Sequence, residues 1–354
     1  MHKTSLFTIV FIAVGLVVAA SGIGQTQGQK SLDIYFLDME GGGGTLLVSP
    51  SGESLLVDAG NPGTRDADRI LVAAKQAGLK QIDYLVITHY DADHVGGVPD
   101  VAARIPIRNF VDYGTTTTPR SQVAFKAYAE VREKGRHIQV KPGDKVPIAG
   151  LDVRVVSAGG APLTSALSGA GAANPLCADF TPREGEQPED QHSVGLAIRY
   201  GRFKEMQLGD LTWNKEHDLV CPKNLLGTVD VYQTSAHGLS LSGPSALVHA
   251  LRPRVVVMNN GPKKGASRDA WMTVKASPGL EDLWQVHYSE LRPGNASMRE
   301  TGEIGGKDLN VPAQFTANLD DSTANFIKLS AREDGSFVVT NPRDGFSKEY
   351  KPRR

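Results

Sequence analysis

A cluster of four potential metal ligands within six residues stands in the segment HYDADHVGG at residues 89–97 and limits the folds that this chain can adopt. The cluster directly follows Ile82–Thr88, a largely apolar segment that is typical of a strand covered on both faces. Burying two carboxylates and two imidazoles side by side costs free energy unless a cation compensates them. The sequence therefore predicts a metal site at the carboxyl end of this strand.

The order of the four side chains favours two metal ions over one. In extended backbone His89 and Asp91 project to the same side, whereas Asp93 and His94 lie where the chain turns towards a helix predicted over 98–103. Imidazole and carboxylate groups together suit zinc, with manganese and iron as the alternatives. We predict two divalent cations here. The competing interpretation, ordinary polar loop residues, suits a single histidine far better than a cluster of four.

The rest of the chain predicts an α/β fold. Strands are predicted at residues 32–37, 45–48, 54–57, 151–156, 194–200, 204–208, 230–234, 254–258, 283–286, 326–330 and 336–340, and helices at 66–77, 121–134, 244–251 and 271–276. Residues 158–190 are rich in Gly, Ala, Ser, Pro and Glu, which predicts a long loop. We expect one domain over 30–350, with a C-terminal extension at 290–350 that contains a hairpin. Two sheets between helix layers, a four-layer αββα sandwich, suit this pattern.

Composition excludes several classes of protein. Of 354 residues, 40% are apolar and 22% are charged, which is ordinary globular usage and excludes a disordered chain or a coiled coil. Lys plus Arg total 38 against 39 for Asp plus Glu. This balance excludes a strongly basic protein that coats nucleic acid, although it permits a local basic groove. Nothing in the sequence implies a stable protein partner.

Residues 1–25 have the layout of a signal peptide. Lys3 precedes an apolar run at 6–20, and small and polar residues follow. The run is shorter than the roughly 20 residues of a spanning helix, so we predict export, secreted or periplasmic, with an uncleaved anchor as the alternative. No other segment predicts a membrane span. In an oxidising compartment Cys177 and Cys221 are predicted to form a disulfide, the alternative being two buried thiols.

The ligand cluster resembles the signature of the metallo-β-lactamase superfamily, whose fold is the αββα sandwich. Aspartate at position 91, within the Asp-Ala-Asp-His-x-Gly-Gly pattern, resembles the hydrolase domain of the competence-type DNA-uptake proteins (the ComEC group). Further similar segments are residues 37–44, residues 56–60, Ser193 with Gly209-Asp210, and Ala236-His237-Gly238. The resemblance covers roughly residues 32–290.

The resemblance implies a set of metal ligands. His89 and Asp91 would bind the first metal. His192, 18 residues before Asp210, lies near the place where many superfamily members carry their middle histidine. It is the candidate third ligand, the alternative being a solvated loop histidine.

The resemblance also implies the ligands of the second metal. Its implied ligands are Asp93, His94 and His237, with Asp210 bridging both metals. Asp58 would orient the metal loop through hydrogen bonds, and Asp93 is placed to accept a proton, so these two aspartates are the predicted catalytic residues. Position 236 departs from the family pattern, because alanine stands where a histidine is usual.

The predicted function follows from two cations about 3.5–4 Å apart, which can hold a bridging water and lower its pKa towards neutrality. Such a hydroxide attacks phosphorus or a carbonyl carbon. The sequence therefore predicts an exported, dinuclear metal-dependent hydrolase that acts on a phosphodiester or nucleotide-type substrate. The alternatives are hydrolysis of a lactone, lactam or thioester, and a non-catalytic binding module. Lys263 and Lys264 are predicted to bind an anionic small-molecule or nucleic-acid-type substrate, although such charges often only solvate a surface.

Overall fold

A computed structural model describes residues 30–290, 309–322 and 324–353. The predicted signal peptide at 1–25 lies outside the described residues. Within these three ranges, no helix combines the length and the apolar character that crossing a membrane requires.

Helices and strands alternate over most of the chain. The strands are β1 Leu32–Phe36, β2 Thr45–Val48, β3 Ser54–Val57, β4 Ile82–Val86, β5 Ile107–Asp112, β6 Arg136–Gln139, β7 Lys145–Val146, β8 Asp152–Ala158, β9 Ala161–Pro162, β10 Ala172–Ala173, β11 Gly195–Tyr200, β12 Phe203–Gln207, β13 Lys223–Asn224, β14 Val231–Gln233, β15 Val255–Met258, β16 Asp282–His287, β17 Thr316–Asn318, β18 Ile327–Ala331, β19 Phe337–Asn341 and β20 Phe346–Tyr350. The α-helices are α1 Thr64–Gln76, α2 Ala92–Val95, α3 Val98–Ala102, α4 Gln122–Arg132, α5 Trp213–Val220, α6 Ser245–Leu251 and α7 Arg268–Lys275.

The strands form two large sheets. The first has the order β20-β19-β18-β1-β2-β3-β4-β5-β6, and the second β17-β16-β15-β14-β12-β11-β8-β7. In the first sheet, β3 to β6 run parallel, and in the second sheet β12, β14, β15, β16 and β17 do the same. The carboxyl ends of parallel strands meet at one edge of a sheet, which is where ligand-binding loops gather in α/β folds.

Two apolar clusters hold the layers together. The larger cluster lies between the sheets and includes Ile34 and Leu85 from the first sheet and Leu196 and Val257 from the second. The smaller cluster packs α5, α6 and α7 against the outer face of the second sheet. Helices α1, α3 and α4 contribute buried residues to the larger cluster. The mixed α/β fold with two large sheets and helices is therefore confirmed, and it is consistent with the predicted sandwich.

Helix α1 illustrates why these residues form these elements. Ala67, Ile70, Ala73 and Ala74 recur at helical spacing and are all buried. Gly78 follows the helix with a φ of +73°, a left-handed conformation that ends helices and favours glycine.

The C-terminal segment belongs to both sheets. The predicted hairpin is present as β18 and β19, shifted by one residue, and β20 adds a third strand. Strand β18 pairs with β1 in the first sheet, whereas β17 pairs with β16 in the second. The strands that sequence patterns did not predict include β5, β6, β17 and β20. Strands β6, β17 and β20 lie at sheet edges, where apolar alternation is weak, whereas β5 is a six-residue strand inside the first sheet.

The predicted disulfide is also present. Cys177 and Cys221 are bonded, with Cα atoms 5.7 Å apart. The bond joins the long segment at 158–190 to the residue that follows α5. This segment contains the short strands β9 and β10 and the 3-10 helix Pro175–Asp179.

Candidate metal centre

Asp58 fixes the orientation of the metal loop. It follows β3 with a φ of +61°, and its two carboxylate oxygens accept hydrogen bonds from the Thr88 backbone N–H and hydroxyl, each 2.8 Å long. His94 Nδ1 donates to Asp58 Oδ2 at 2.7 Å, so His94 Nε2 is the ring nitrogen left for another partner. These contacts are the hydrogen bonds that the predicted orienting role of Asp58 requires.

The glycine-rich loop at 41–44 allows a close approach to these side chains. A Cβ atom on Gly43 would lie 2.5 Å from His94 Nδ1 and 2.7 Å from Asp58 Oδ2. Any side chain at this position would push His94 away from Asp58, so the loop needs glycine here.

Asp93, His94 and His237 form what we call the second group. One ligand atom from each lies within 4.8 Å of the others. The Nε2 atoms of the two histidines are 3.2 Å apart, and Asp93 Oδ2 is 3.7 Å from each. His237 is fully buried and has a φ of +58° in the short turn Ser235–Gly238 that follows β14. This conformation is uncommon for a side chain larger than glycine, and it turns the ring towards His94.

The carboxylate of Asp210 lies between the histidines. Its Oδ1 is 3.3 Å from His94 Nε2, and its Oδ2 is 3.3 Å from His237 Nε2. It also forms a cluster of potential ligands with His89 and His94. Asp210 thus contacts the second group and reaches towards His89, the histidine that begins the loop.

His89, Asp91 and Asp190 form the first group, again with ligand atoms within 4.8 Å of one another. Asp190 was not predicted. The candidate from the sequence, His192, belongs to no such group within the described part of the chain. Its ring packs 5.4 Å from the ring of Tyr113, and its buried Nδ1 has no hydrogen-bond partner.

Asp190 and His192 occupy the two ends of one 3-10 turn, which explains the difference. Because of this turn, the side chain that lies near His89 is that of Asp190, two residues before His192. The signal available in the sequence was the acidic pair at 189–190, next to Ser193. Glu189 is fully buried and accepts hydrogen bonds from Tyr113, Thr116 and the Tyr90 backbone N–H, which anchors the turn.

Two cationic side chains lie against the carboxylates. A single atom, Arg120 Nη2, is 2.5 Å from Asp91 Oδ2 and 2.6 Å from Asp190 Oδ1. Lys264 Nζ forms an ion pair with Asp93. Arg120 was not predicted, because an arginine after a threonine-rich loop carries no distinctive signal. Of the two predicted lysines, Lys264 is therefore at the centre, whereas Lys263 is exposed.

Mutual attraction decides the charges of the second group. Burial raises the pKa of Asp210, but His237 and His94 outweigh burial and hold that pKa well below its ordinary range. Burial lowers the pKa of His94, but the carboxylates of Asp210, Asp58 and Asp93 outweigh it and raise the pKa well above the usual value. The pKa of His237 is lowered, mainly by burial.

Burial and neighbouring carboxylates decide the protonation of the first group. Burial, followed by the carboxylates of Asp210 and Asp91, raises the pKa of Asp190 to about 8 even though Arg120 opposes the shift. Burial and the neighbouring His94 lower the pKa of His89, which favours the neutral imidazole that binds metals.

The residues present fit divalent cations. His89 Nε2 is buried, faces Asp91 Oδ2 at 4.0 Å, and has no hydrogen-bond partner. Three imidazoles and four carboxylates, including that of Asp210, gather here, a mixture of nitrogen and oxygen ligands that suits zinc or manganese. A cation would satisfy the unpartnered nitrogen and neutralise the crowded carboxylates together.

The first part of the chain is similar to a known family. Residues 40–165 match the family model described as Metallo-beta-lactamase superfamily. The matched segment is less than half of the chain. The match includes the metal loop and ends before Asp190, Asp210 and His237. Over 64 residues the chain is 33% identical to the Beta-lactamase-like protein 2 homolog of Caenorhabditis elegans, of which it spans only about a fifth (22%).

Several solved structures are similar to this chain. A metal-dependent hydrolase of the beta-lactamase superfamily is 14% identical, with 72% of this chain and 95% of that one covered and a TM-score of 0.41. The diiron beta-hydroxylase CmlA from Streptomyces venezuelae is 16% identical, with 70% and 47% covered and a TM-score of 0.41. A diphosphatase from the PhnP family is 12% identical, with 65% and 87% covered and a TM-score of 0.37.

Proposed function

We propose that this protein is an exported hydrolase that uses two divalent cations, zinc or manganese, to cleave a phosphodiester or nucleotide-type substrate. The observation that carries the proposal is the position of Asp210, whose carboxylate contacts His94 and His237 and reaches towards His89. In this arrangement one carboxylate serves both groups of ligands. The superfamily domain is generally hydrolytic and metal-dependent, which supports the same reaction class.

The two groups supply the ligands in this proposal. His89, Asp91 and Asp190 would hold one cation, the second group would hold the other, and Asp210 would serve both. Two cations supply Lewis-acid stabilisation and activation of water when bound. Asp190 takes the role that the sequence suggested for His192, because its carboxylate lies with His89 and Asp91.

The remaining side chains position groups and move protons. Asp58 holds the His94 ring through Nδ1 and so directs its Nε2 towards Asp210. Asp93 Oδ2 faces the imidazoles of His94 and His237, where it can accept a proton during the reaction. Burial keeps bulk water from competing for these contacts.

A phosphodiester is preferred over a neutral substrate because two cationic side chains lie at the centre. The Arg120 guanidinium and the Lys264 ammonium are each part-exposed beside the ligand carboxylates. When cations occupy the centre, these side chains are available to an anionic substrate, and guanidinium groups bind phosphate oxygens especially well. The resemblance to competence-type DNA-uptake proteins supports the same substrate class.

Export is the second component of the proposal. It is supported by the signal-peptide pattern at 1–25 and by the Cys177–Cys221 disulfide, since disulfides persist mainly in oxidising compartments. Fractionation of cells with detection by antibody, followed by N-terminal sequencing, tests it. Protein retained in the cytoplasm with an intact N-terminus would contradict this component.

The experiment for activity is metal analysis followed by a substrate panel. We expect about two zinc or manganese ions per chain by elemental analysis. A chromogenic phosphodiester should be hydrolysed, and chelation should abolish the activity until metal is restored. A lactone and a β-lactam should be poorer substrates. Rapid lactone hydrolysis without phosphodiesterase activity would mean that the substrate is a lactone-type compound and not a phosphodiester. A protein that binds no metal would overturn the whole proposal.

A further inference from the structure

A hollow of about 350 Å³ lies on the outer face of the second sheet, at the Lys204 end of β12. Asp210 follows the other end of that strand, six residues away, so the hollow lies on the order of 20 Å from the metal centre. The side chains of Leu163, Met206, Leu226 and Val229 give it an apolar lining. The chain continues over it as the segment 165–168, part of the long loop that the proposed hydrolase reaction does not use.

Two cations face each other at the mouth of this hollow. Arg199 on β11 and Lys204 on β12 are directly paired across the hairpin, where like charges destabilise a sheet. In the described ranges neither side chain has a carboxylate oxygen within 4.0 Å. Arg199 Nε instead donates to the Gly201 carbonyl at 2.8 Å.

The nearby acidic groups are already paired. Asp152 lies opposite Arg199 across β8 and β11, but its Oδ1 is 3.0 Å from Lys145 Nζ and 3.1 Å from Arg154 Nε. A second hollow of about 260 Å³ shares Arg199 and Lys204 and adds Arg202 and Arg353. Its two acidic residues also have partners: Asp230 Oδ1 lies 3.6 Å from Arg353 Nε, and Asp334 Oδ1 accepts hydrogen bonds from the Ser336 backbone N–H and hydroxyl. The mouth therefore carries positive charge that the described side chains do not neutralise.

We infer that this hollow is a binding site for a medium-chain carboxylate, with the anionic head between Arg199 and Lys204 and the apolar tail on Met206 and Leu226. An anion would remove the repulsion between the two cations, and the tail would cover an apolar surface. A volume of about 350 Å³ is at the lower end for ligand pockets. A non-hydrogen atom with its hydrogens takes about 30 Å³, the volume of one water molecule in the liquid. The hollow therefore accommodates roughly ten non-hydrogen atoms. Octanoate has this size.

Calorimetric titration of the purified protein with octanoate tests the inference. We expect saturable binding with a Kd of roughly 0.1 mM. Octan-1-ol, which lacks the charge, and butyrate, which lacks the tail, should each bind at least about tenfold more weakly. Absence of saturable octanoate binding, or equal binding of octanol, would overturn the inference.

Variants locate the site. The double variant Arg199→Gln/Lys204→Gln should weaken octanoate binding by about tenfold or more, because both charges that face the head are removed. Ala197→Phe places a ring in the hollow and should abolish binding. The matched control Lys126→Gln/Arg136→Gln removes the same charge from exposed positions on α4 and β6 and should change Kd by less than about twofold.

Two measurements distinguish a failure of this inference from a failure of the proposed hydrolase function. Metal content and thermal unfolding of each variant should match the wild type, since the hollow and the centre share no residues. If Ala197→Phe unfolds the protein, the charge variant decides alone, because its two side chains are not buried. Unchanged octanoate binding in the charge variant would refute the site, whatever the metal analysis shows.

Discussion

Asp210 in the metal centre and two buried glutamates elsewhere in the fold show opposite electrostatic results. At the metal centre, the pKa of Asp210 is held well below its ordinary range because His237 and His94 outweigh burial. In the second sheet and in α5, burial raises the pKa of Glu205 and of Glu216 to about 8 each, since few opposing charges lie nearby. All three carboxyl groups are buried, so burial does not distinguish them.

The difference comes from the neighbours of each carboxyl group. Glu205 has one hydrogen bond, from Gln207 Nε2 at 2.8 Å, and is a protonated, structural acid near neutral pH. Asp210 instead lies within 3.3 Å of two imidazoles and close to further carboxylates. A cluster of mutually attracting ligands indicates a cation site, whereas an isolated buried acid neutralises itself by holding a proton.

The largest expected effect comes from removing the shared carboxylate. Asp210→Asn should reduce metal content at both positions and lower the phosphodiesterase rate by about a thousandfold or more, because one charge serves both groups. Elemental analysis and initial rates measure this. Glu205→Gln is the matched control, since it makes the same chemical change at another buried acid of the second sheet and should leave both quantities unchanged. Equal metal content in Asp210→Asn and the wild type would contradict the shared role.

The same Glu205→Gln variant tests the comparison through the pH dependence of the protein's stability. Glu205 has a pKa of about 8 in the folded protein and an ordinary value of 4.5, so the folded state binds the proton more tightly. Its contribution to stability is therefore present below pH 4.5 and is lost as pH rises towards about 8. When the pH rises from 5 to 8, the free energy of unfolding of Glu205→Gln should increase by roughly 2–4 kcal/mol relative to that of the wild type. Urea unfolding at both pH values measures the difference. A constant difference between the two proteins would mean that Glu205 is ionised in the fold.

The third prediction distinguishes Asp190 from His192. Asp190→Asn should weaken binding of one of the two metal ions by about 10- to 100-fold, because the first group loses a charged ligand. His192→Asn should leave metal affinity within about threefold of the wild type, since its ring packs on Tyr113. Competition with a chromogenic chelator measures both. The reverse pattern would restore His192 as the ligand.

The smallest effect concerns the two lysines. Lys264→Gln should raise KM for a phosphodiester several-fold at low salt, and less at high salt, because Lys264 lies at the centre and its charge attracts the substrate. Lys263→Gln should change KM by less than about twofold, as its side chain is exposed away from Asp93. Equal effects of the two substitutions would mean that the lysines act only through net charge.

Features that depend on neighbours in the chain could be predicted from the sequence alone. The apolar run before HYDADH predicted a buried strand with ligands at its carboxyl end, and the hydrogen bonds of Asp58 fit the role that the family resemblance implied. Bounds of most predicted strands agree with the structure to within about two residues, because alternation and turn residues are local signals.

Contacts between side chains that are distant in the chain depend on the three-dimensional fold. Asp190 replaced His192 in the first group because a single 3-10 turn sets which of its residues faces His89, and ligand type alone cannot show that. Arg120 reaches Asp91 and Asp190 from a separate loop, 29 and 70 residues away in the chain. Contacts of this kind depend on how two sheets pack, and the free energy of packing is spread over the whole apolar core. No local pattern of residues encodes it, so the side chains that join the first loop could be found only in three dimensions.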